Sequence, residues 1–155
     1  MKKKVYILAG ISLLMDQITK LLAYFYLNNL VIIPNFFNLT YVENTGAAWG
    51  MLDNNRIILV CVSAITLLVI SKYLKSENNI SKLSMVSYGI LIGGIFGNLL
   101  DRLFRGYVID FLNFNIFGYS FPVFNVADVL IVVGVILMTL EVIGVSFCGN
   151  NCKKK

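Results

Sequence analysis

The chain has 155 residues, of which 58% are hydrophobic and 14% charged, a balance that excludes an ordinary soluble domain and is typical of a multi-spanning membrane protein. Its net charge is +5, but nine of the ten lysines lie in three clusters beside apolar runs, which indicates membrane topology and no nucleic-acid partner. We expect a single domain, residues 1–155, in a monomer. The clusters are Lys2, Lys3 and Lys4; Lys72, Lys75 and Lys82; and Lys153, Lys154 and Lys155.

Four apolar runs, at about 5–27, 57–74, 83–104 and 122–147, each approach the roughly 20 residues that cross a bilayer as helix. We therefore predict an all-α membrane protein with four transmembrane helices and both termini cytoplasmic. The first run contains Asp16 and Lys20 and lacks an obvious cleavage site, so we interpret it as a retained helix rather than a signal peptide.

This topology places residues 28–56 and 105–121 on the extracytoplasmic side. Residues 31–44 mix aromatic and β-branched side chains around Pro34, a composition that favours short strands over helix. The sequence thus predicts a small extracytoplasmic β/loop region beside the helices.

Two aspartates lie inside apolar runs, where charged groups usually mark function. Asp101 follows Asn98 by three residues, and Asp128 follows Asn125 by the same spacing, so each asparagine shares a helical face with its aspartate. At a rise of about 1.5 Å per residue, the two acids lie roughly 5 and 10 Å inside the same membrane boundary. The sequence predicts that they meet as an acid pair near the extracytoplasmic face.

Such a pair suits hydrolysis, because two carboxyl groups in a low dielectric share one proton. The ionised member can take a proton from water while the protonated member donates to the substrate. Gly89, Gly93 and Gly97 lie on the helix face that carries Asp101, which predicts close packing there against another helix. The structural alternative is a buried carboxylate that pairs with Arg102 or Lys20 to hold the bundle together.

Other charged residues favour structural roles. Asp16 and Lys20 are one helical turn apart, which allows an internal ion pair, although Lys20 could instead reach a carbonyl or a lipid phosphate. We interpret Arg105 as an anchor, leave the role of Arg102 open, and expect Glu141 to lie near the cytoplasmic interface, outside the site.

Five motifs in this order resemble those of bacterial lipoprotein signal peptidase, also called signal peptidase II, an aspartic endopeptidase of the cytoplasmic membrane. Each motif alone is weak, but the resemblance extends over nearly the whole chain. The motifs are Asp16-Gln17-Ile18-Thr19-Lys20; Asn44-Thr45-Gly46-Ala47-Ala48-Trp49-Gly50; Gly97-Asn98-Leu99-Leu100-Asp101-Arg102; Val108-Ile109-Asp110-Phe111; and Phe124-Asn125-Val126-Ala127-Asp128.

The resemblance implies that Asp101 and Asp128 are the catalytic pair. Its implied substrates are diacylglyceryl-modified prolipoproteins, which enter from membrane lipid and are cut just before the lipidated cysteine. It implies no metal and no organic cofactor. The residues implied to support or shape the site are Asp16, Lys20, Asn44, Gly46, Asn98, Arg102, Asp110 and Asn125.

The chain departs from the family pattern at two places: Ile95-Phe96 replaces a smaller residue, and Val129 follows the second aspartate where serine is common. Both affect packing and fine substrate preference more than chemistry. We interpret Cys61, Cys148 and Cys152 as incidental, with acylation or weak metal binding as the alternative for the last two.

Two other functions remain open on the sequence. One is an intramembrane aspartic protease that cuts ordinary transmembrane helices. Equally good cleavage of an unlipidated substrate would support it. The other is a proton-coupled transporter or small channel in which Asp16, Asp101 and Asp128 relay protons, which flux in proteoliposomes would reveal.

Overall fold

The structure, a computed structural model, describes residues 1–144. Four helices form a bundle, and a small antiparallel sheet lies at one end of it. The helices are α1 (Lys2–Tyr26), α2 (Arg56–Ser76), α3 (Lys82–Phe104) and α4 (Val126–Val142); the strands are β1 (Asn29–Ile33), β2 (Phe37–Asn44), β3 (Val108–Ile116) and β4 (Tyr119–Ser120); and a short 3-10 turn covers Ala48–Gly50.

Helices α1, α2 and α3 are long and apolar enough to cross a membrane, with 25, 21 and 23 residues. Many of their large apolar side chains are exposed, as are those of α4, which suits surfaces that face lipid. Helix α4 has 17 described residues. The end of the fourth predicted span, Cys148, Cys152 and the last lysine cluster lie outside the described residues, so the fourth span stays a prediction.

Glycines set how closely the helices pack, as the sequence predicted. A Cβ added at Gly89 or Gly93 would lie 2.8 Å from Leu8 or 2.5 Å from Ser12, both on α1. On another face of α3, a Cβ at Gly94 would lie 2.6 Å from the Ala127 carbonyl of α4. Helix α3 is therefore in near-backbone contact with two neighbours, and its charged residues are held between them.

The sheet has the order β1-β2-β3-β4, with every pair antiparallel. Strands β1 and β2 confirm the prediction for residues 31–44. The sequence did not predict β3, whose residues Val108 to Phe111 are all buried. Ile109 and Phe111 pack against Ala23 near the end of α1, which fixes the sheet to the bundle.

The segment before α4 is held against β3. The backbone N–H groups of Phe111 and Leu112 both donate to the Phe124 carbonyl, at 3.0 and 2.8 Å, and the Phe124 N–H donates back to Leu112 at 3.1 Å. This pairing places the start of α4 beside β3, so that a strand and a helix terminus meet at one site.

At the other end of the bundle, Glu141 joins α4 to the start of α3. Its two carboxylate oxygens accept hydrogen bonds from Ser81 and Ser84, at 2.5 and 2.6 Å. The Ser81 hydroxyl also caps α3 by accepting from the Ser84 N–H at 2.9 Å. These contacts give Glu141 a structural role.

We predict that Gly93→Ala destabilises the bundle while Gly10→Ala does not. The added Cβ at position 93 would lie 2.7 Å from the Ala9 carbonyl, which cannot move without shifting α1, whereas a Cβ at Gly10 meets nothing within 4 Å. Overpacking of this kind costs about 1–3 kcal/mol, and alanine favours helix over glycine. Thermal unfolding in detergent should show a lower midpoint only for Gly93→Ala; equal midpoints would contradict close packing of α1 on α3.

Candidate active site

A cavity of about 460 Å³ opens between the start of α4, β3 and the loop after β2. Its walls are mostly apolar and come from the segment before α4 and from α4 itself. Its polar lining consists of five side chains: Asn44, Asn98, Arg102, Asp110 and Asp128. A small number of polar groups that converge within an apolar cleft is typical of a ligand site.

Asp128 lies in the first turn of α4, in a reciprocal cap with Asn125. The Asn125 side chain accepts from the Asp128 N–H at 3.0 Å, and Asp128 Oδ2 accepts from the Asn125 N–H at 3.1 Å. The other oxygen, Oδ1, accepts from Asn98 Nδ2 at 2.8 Å. A carboxylate is favoured at a helix N-terminus by its free N–H groups and its dipole, so the side chain is fixed as an acceptor.

Asp110 reaches the same cavity from β3 and is 2% exposed. Its oxygens accept from Asn44 Nδ2 at 2.8 Å and from Asn125 Nδ2 at 2.6 Å. Burial raises the pKa of Asp110 to about 6 and the charge of Asp128 adds to the rise, while the hydrogen bonds from the two asparagines oppose it. Asn125 thus contacts both Asp110 and Asp128 and couples them.

Asp101 is placed differently from what the sequence predicted. It is fully buried and is not among the residues that line the cavity. Its Oδ2 lies 2.8 Å from Lys20 Nζ, and its Oδ1 forms an ion pair with Arg105 and accepts from Gln17 at 3.3 Å. The expected facing of Asp101 and Asp128 is corrected accordingly: Asp101 turns toward α1, because two cations compensate its charge there.

The ion pair predicted between Asp16 and Lys20 is confirmed, at 2.9 Å with both side chains fully buried. Asp16 also accepts from the Ala127 N–H at 2.9 Å, which links α1 to the first turn of α4. Gly97 makes this approach possible, since a Cβ there would lie 2.3 Å from Asp16 Oδ2. The structural alternative considered for the sequence, a buried carboxylate paired with Lys20, describes both Asp16 and Asp101.

Arg102 holds the loop after β2 against the helices. Its guanidinium donates to the Gly46 carbonyl at 2.8 Å, and the Gly46 N–H donates to Asn44 Oδ1 at 2.9 Å. A Cβ at Gly46 would lie 2.9 Å from the Met51 carbonyl, so this turn accepts only glycine without a shift. The loop continues to Trp49, which also lines the cavity.

Two placements were not predicted from the sequence. Asp110, which the resemblance implied as a supporting residue, lines the cavity beside Asp128. No role was predicted for Gln17, whose Nε2 donates to Asp16, the Gly97 carbonyl and Asp101 at 3.2–3.3 Å. The sequence did contain a signal for Gln17, because it is a polar residue next to Asp16 within an apolar helix.

Residues 8–144 match the family model described as signal peptidase (SPase) II. The lipoprotein signal peptidase of Symbiobacterium thermophilum is 42% identical over 140 residues, which cover 88% of this chain and 92% of that protein. That of Clostridium acetobutylicum is 38% identical over 141 residues, with the same coverage. That of Staphylococcus haemolyticus is 36% identical over 151 residues, which cover 92% of this chain and 96% of that protein.

Two solved structures share the fold, both described as bacterial membrane enzymes studied by the in meso method. One superposes with a TM-score of 0.83 at 30% identity and covers 97% of this chain and 93% of its own. The other has a TM-score of 0.81 at 31% identity and covers 92% and 94%.

We predict that Asp110 makes stability fall as pH rises. The folded protein holds this proton with a pKa of about 6, against 3.8 for an unperturbed group. The stability that comes from binding it is complete below about pH 3.8 and is lost as the pH rises through about 6, a change of about 2–3 kcal/mol. Relative to Asp110→Asn, the wild-type melting midpoint should therefore fall between about pH 4 and 7.

Exposed Asp53→Asn controls for the loss of a carboxylate in general. The quantity to compare is the pH dependence of the difference in midpoint, because the amide at position 110 also adds a constant offset. A difference between wild type and Asp110→Asn that stays flat over this range would contradict a raised pKa for Asp110.

Proposed function

The chain belongs to the signal peptidase II family, a family of membrane proteases, and on that premise we propose that it removes signal peptides from diacylglyceryl-modified prolipoproteins as an aspartic endopeptidase. Cleavage falls just before the lipidated cysteine. The observation that carries the aspartic chemistry is the presence of two carboxyl groups, Asp110 and Asp128, in one largely apolar cavity.

This assignment replaces one member of the pair predicted from the sequence. Asp128 is kept, but Asp110 takes the place of Asp101. Asp101 instead contacts Lys20 and Arg105 and is not among the residues that line the cavity. Asp110 contacts only neutral amides among the described side chains that bond to it, and its raised pKa suits proton exchange near neutral pH.

In the proposed reaction, Asp128 is the ionised base and Asp110 the protonated acid. Asp128 takes a proton from a water molecule as the water oxygen attacks the scissile carbonyl carbon, and Asp110 gives its proton to the carbonyl oxygen. The tetrahedral intermediate then collapses: the amide nitrogen takes the proton from Asp128, the C–N bond breaks, and the intermediate returns a proton to Asp110. The pair ends as it began, and no cofactor takes part.

Neighbouring groups support the roles of Asp128 as base and Asp110 as acid. Asp128 lies at the N-terminus of α4, where negative charge is favoured, whereas burial favours the neutral form of Asp110. Asn125 donates to Asp110 from its side chain and to Asp128 from its backbone, which keeps the two carboxyl groups in a fixed relation. Arg102, which lines the same cavity, is available for the substrate backbone or the developing negative charge.

The proposed substrate explains the character of the cavity walls. Phe121, Val129 and Val132 are among the apolar residues that line it, and they are available to acyl chains. Exposed apolar side chains continue along α4 outside the cavity, so a lipidated peptide can approach from within the bilayer. Membrane lipid is therefore both the environment of the enzyme and the route of its substrate.

We place the enzyme in the bacterial cytoplasmic membrane, with both termini in the cytoplasm and the cavity near the extracytoplasmic face. The lysine cluster that includes Lys72, Lys75 and Lys82 lies at the bundle end opposite the sheet, as the positive-inside rule requires for this orientation. Fusion of a periplasmic-active or cytoplasm-active reporter to residue 78 would test the orientation directly.

We expect Asp110→Asn and Asp128→Asn each to lower cleavage of a diacylglyceryl-modified prolipoprotein by at least about a thousandfold, since each removes a proton-transfer group. Asp101→Asn should retain cleavage within about tenfold per folded molecule. Gel-shift assays with purified, size-exclusion-checked protein give the comparison. Loss of activity in Asp101→Asn with retention in Asp110→Asn would restore the pair predicted from the sequence.

A charge-balanced variant keeps the Asp101 test valid if the single variant folds poorly. Asp101→Asn with Arg105→Gln removes one cation and one anion and leaves the pair of Asp16 and Lys20 in place. An unlipidated substrate assayed in parallel tests the alternative that the enzyme is a protease of ordinary transmembrane helices. Equal cleavage of lipidated and unlipidated substrate would exclude the proposed specificity.

A further inference from the structure

The ammonium of Lys20 contacts three acceptors and is fully buried. It donates a hydrogen bond to Asn98 Oδ1 at 2.8 Å, and it lies 2.9 Å from Asp16 and 2.8 Å from Asp101. An ammonium has three donors and no acceptor. The contacts with Asp16 and Asp101 neutralise charge. The contact with Asn98 does not, because its amide is neutral, so its effect must be of another kind.

That effect is the orientation of the Asn98 amide. Asn98 Oδ1 faces Lys20 and also accepts from Asn125 Nδ2 at 3.3 Å. Its Nδ2 must then face the other way, where it donates to Asp128 Oδ1 at 2.8 Å. The reversed amide would direct its NH₂ group at the ammonium and its oxygen at the carboxylate, and both contacts would be repulsive.

We propose that Lys20 is a positioning residue for Asp128: through Asn98 it keeps a hydrogen-bond donor directed at the base and so favours the ionised carboxylate at working pH. This inference rests on the proposed function. Lys20 is not among the residues that line the cavity; its effect passes through the Asn98 amide, whose oxygen contacts Lys20 and whose nitrogen contacts Asp128.

The geometry separates this role from that of a counter-ion. A counter-ion for Asp16 and Asp101 would affect folding, and Arg105 already contacts Asp101. The hydrogen bond to Asn98 is the strongest one that this amide oxygen accepts, because its donor is charged and its length is 2.8 Å against 3.3 Å from Asn125. Loss of the ammonium leaves the amide free to reverse, with its oxygen against Asp128.

Several charged groups on the strand and helices packed around Asp128 also affect the pH at which it titrates, so a test must keep their net charge constant. Asp110 lies on β3 and Arg102 on α3, and both interact with the charge of Asp128. Lys20 and its partner Asp16 lie behind Asn98 on α1. A variant that removes the ammonium and one carboxylate together leaves the net charge behind Asn98 unchanged, so a change in titration then reports the amide.

The test compares wild type with the double variant Asp16→Asn/Lys20→Met, in which the net charge behind Asn98 is unchanged. The amide at position 16 keeps an oxygen for the Ala127 N–H, and the double variant leaves Asp101 paired with Arg105. We expect the acidic limb of kcat/KM to move up by about one pH unit in the double variant relative to wild type, with about a tenfold lower kcat/KM near its midpoint. An exposed lysine change, Lys72→Met, should move neither.

Asn98→Leu supplies the second arm, because it removes the amide through which Lys20 acts. In that background the paired change Asp16→Asn/Lys20→Met should move the acidic limb no further. An equal shift with and without Asn98, or an unchanged limb in the double variant, would overturn the positioning role and leave Lys20 as a counter-ion.

Infrared difference spectra give a readout that does not need turnover. The protonated-carboxyl band that disappears in Asp128→Asn reports the protonation of Asp128, and its midpoint should move in the same direction by about the same amount. A fixed midpoint overturns the inference. Failure of the proposed function is a separate outcome, seen when Asp128→Asn still cleaves the lipidated substrate.

Discussion

The buried ammonium of Lys20 is the contact on which the rest of the structure depends. It lies between the fully buried carboxylates of Asp16 on α1 and Asp101 on α3. A buried ion of either sign without its partner costs several kcal/mol, and in a bilayer the alternatives to pairing are fewer still. Two acids, one lysine and Arg105 together form a neutral cluster. The helices are held in register because the charges must stay together.

In the proposed mechanism, this cluster also limits which carboxyl groups can react. Asp101 is used to balance the two cations, so the cavity receives its carboxyl groups from elsewhere. One comes from the first turn of α4 and the other from β3, and Asn125 contacts both. The amides of Asn98 and Asn125 form a neutral layer between the charged cluster and the cavity. The charged cluster holds the helices rigidly together, while the two neutral amides orient the carboxyl groups of the cavity without adding charge.

The small sheet has an equally direct role. Strand β3 is buried at Val108 to Phe111 because it packs on the end of α1 and pairs with the segment before α4. Backbone pairing of this kind fixes a side chain more firmly than a loop does, and it directs Asp110 into the cavity. The loop after β2 closes the other side through Arg102 and Asn44. The proposed active site is thus built partly from helices of the bundle and partly from the sheet at its end.

The sequence by itself determined the helices, the two strands around Pro34, the ion pair of Asp16 and Lys20 and the family, because each follows from local spacing or from ordered motifs. It also identified every polar residue that lines the cavity. Only the tertiary structure decided which carboxyl groups line the same cavity. Asp101 and Asp128 share matched depth, but depth along a helix does not give the direction of a side chain. That direction depends on the cations of α1 and α3 and on a strand far along the chain, which are long-range contacts that no local pattern encodes.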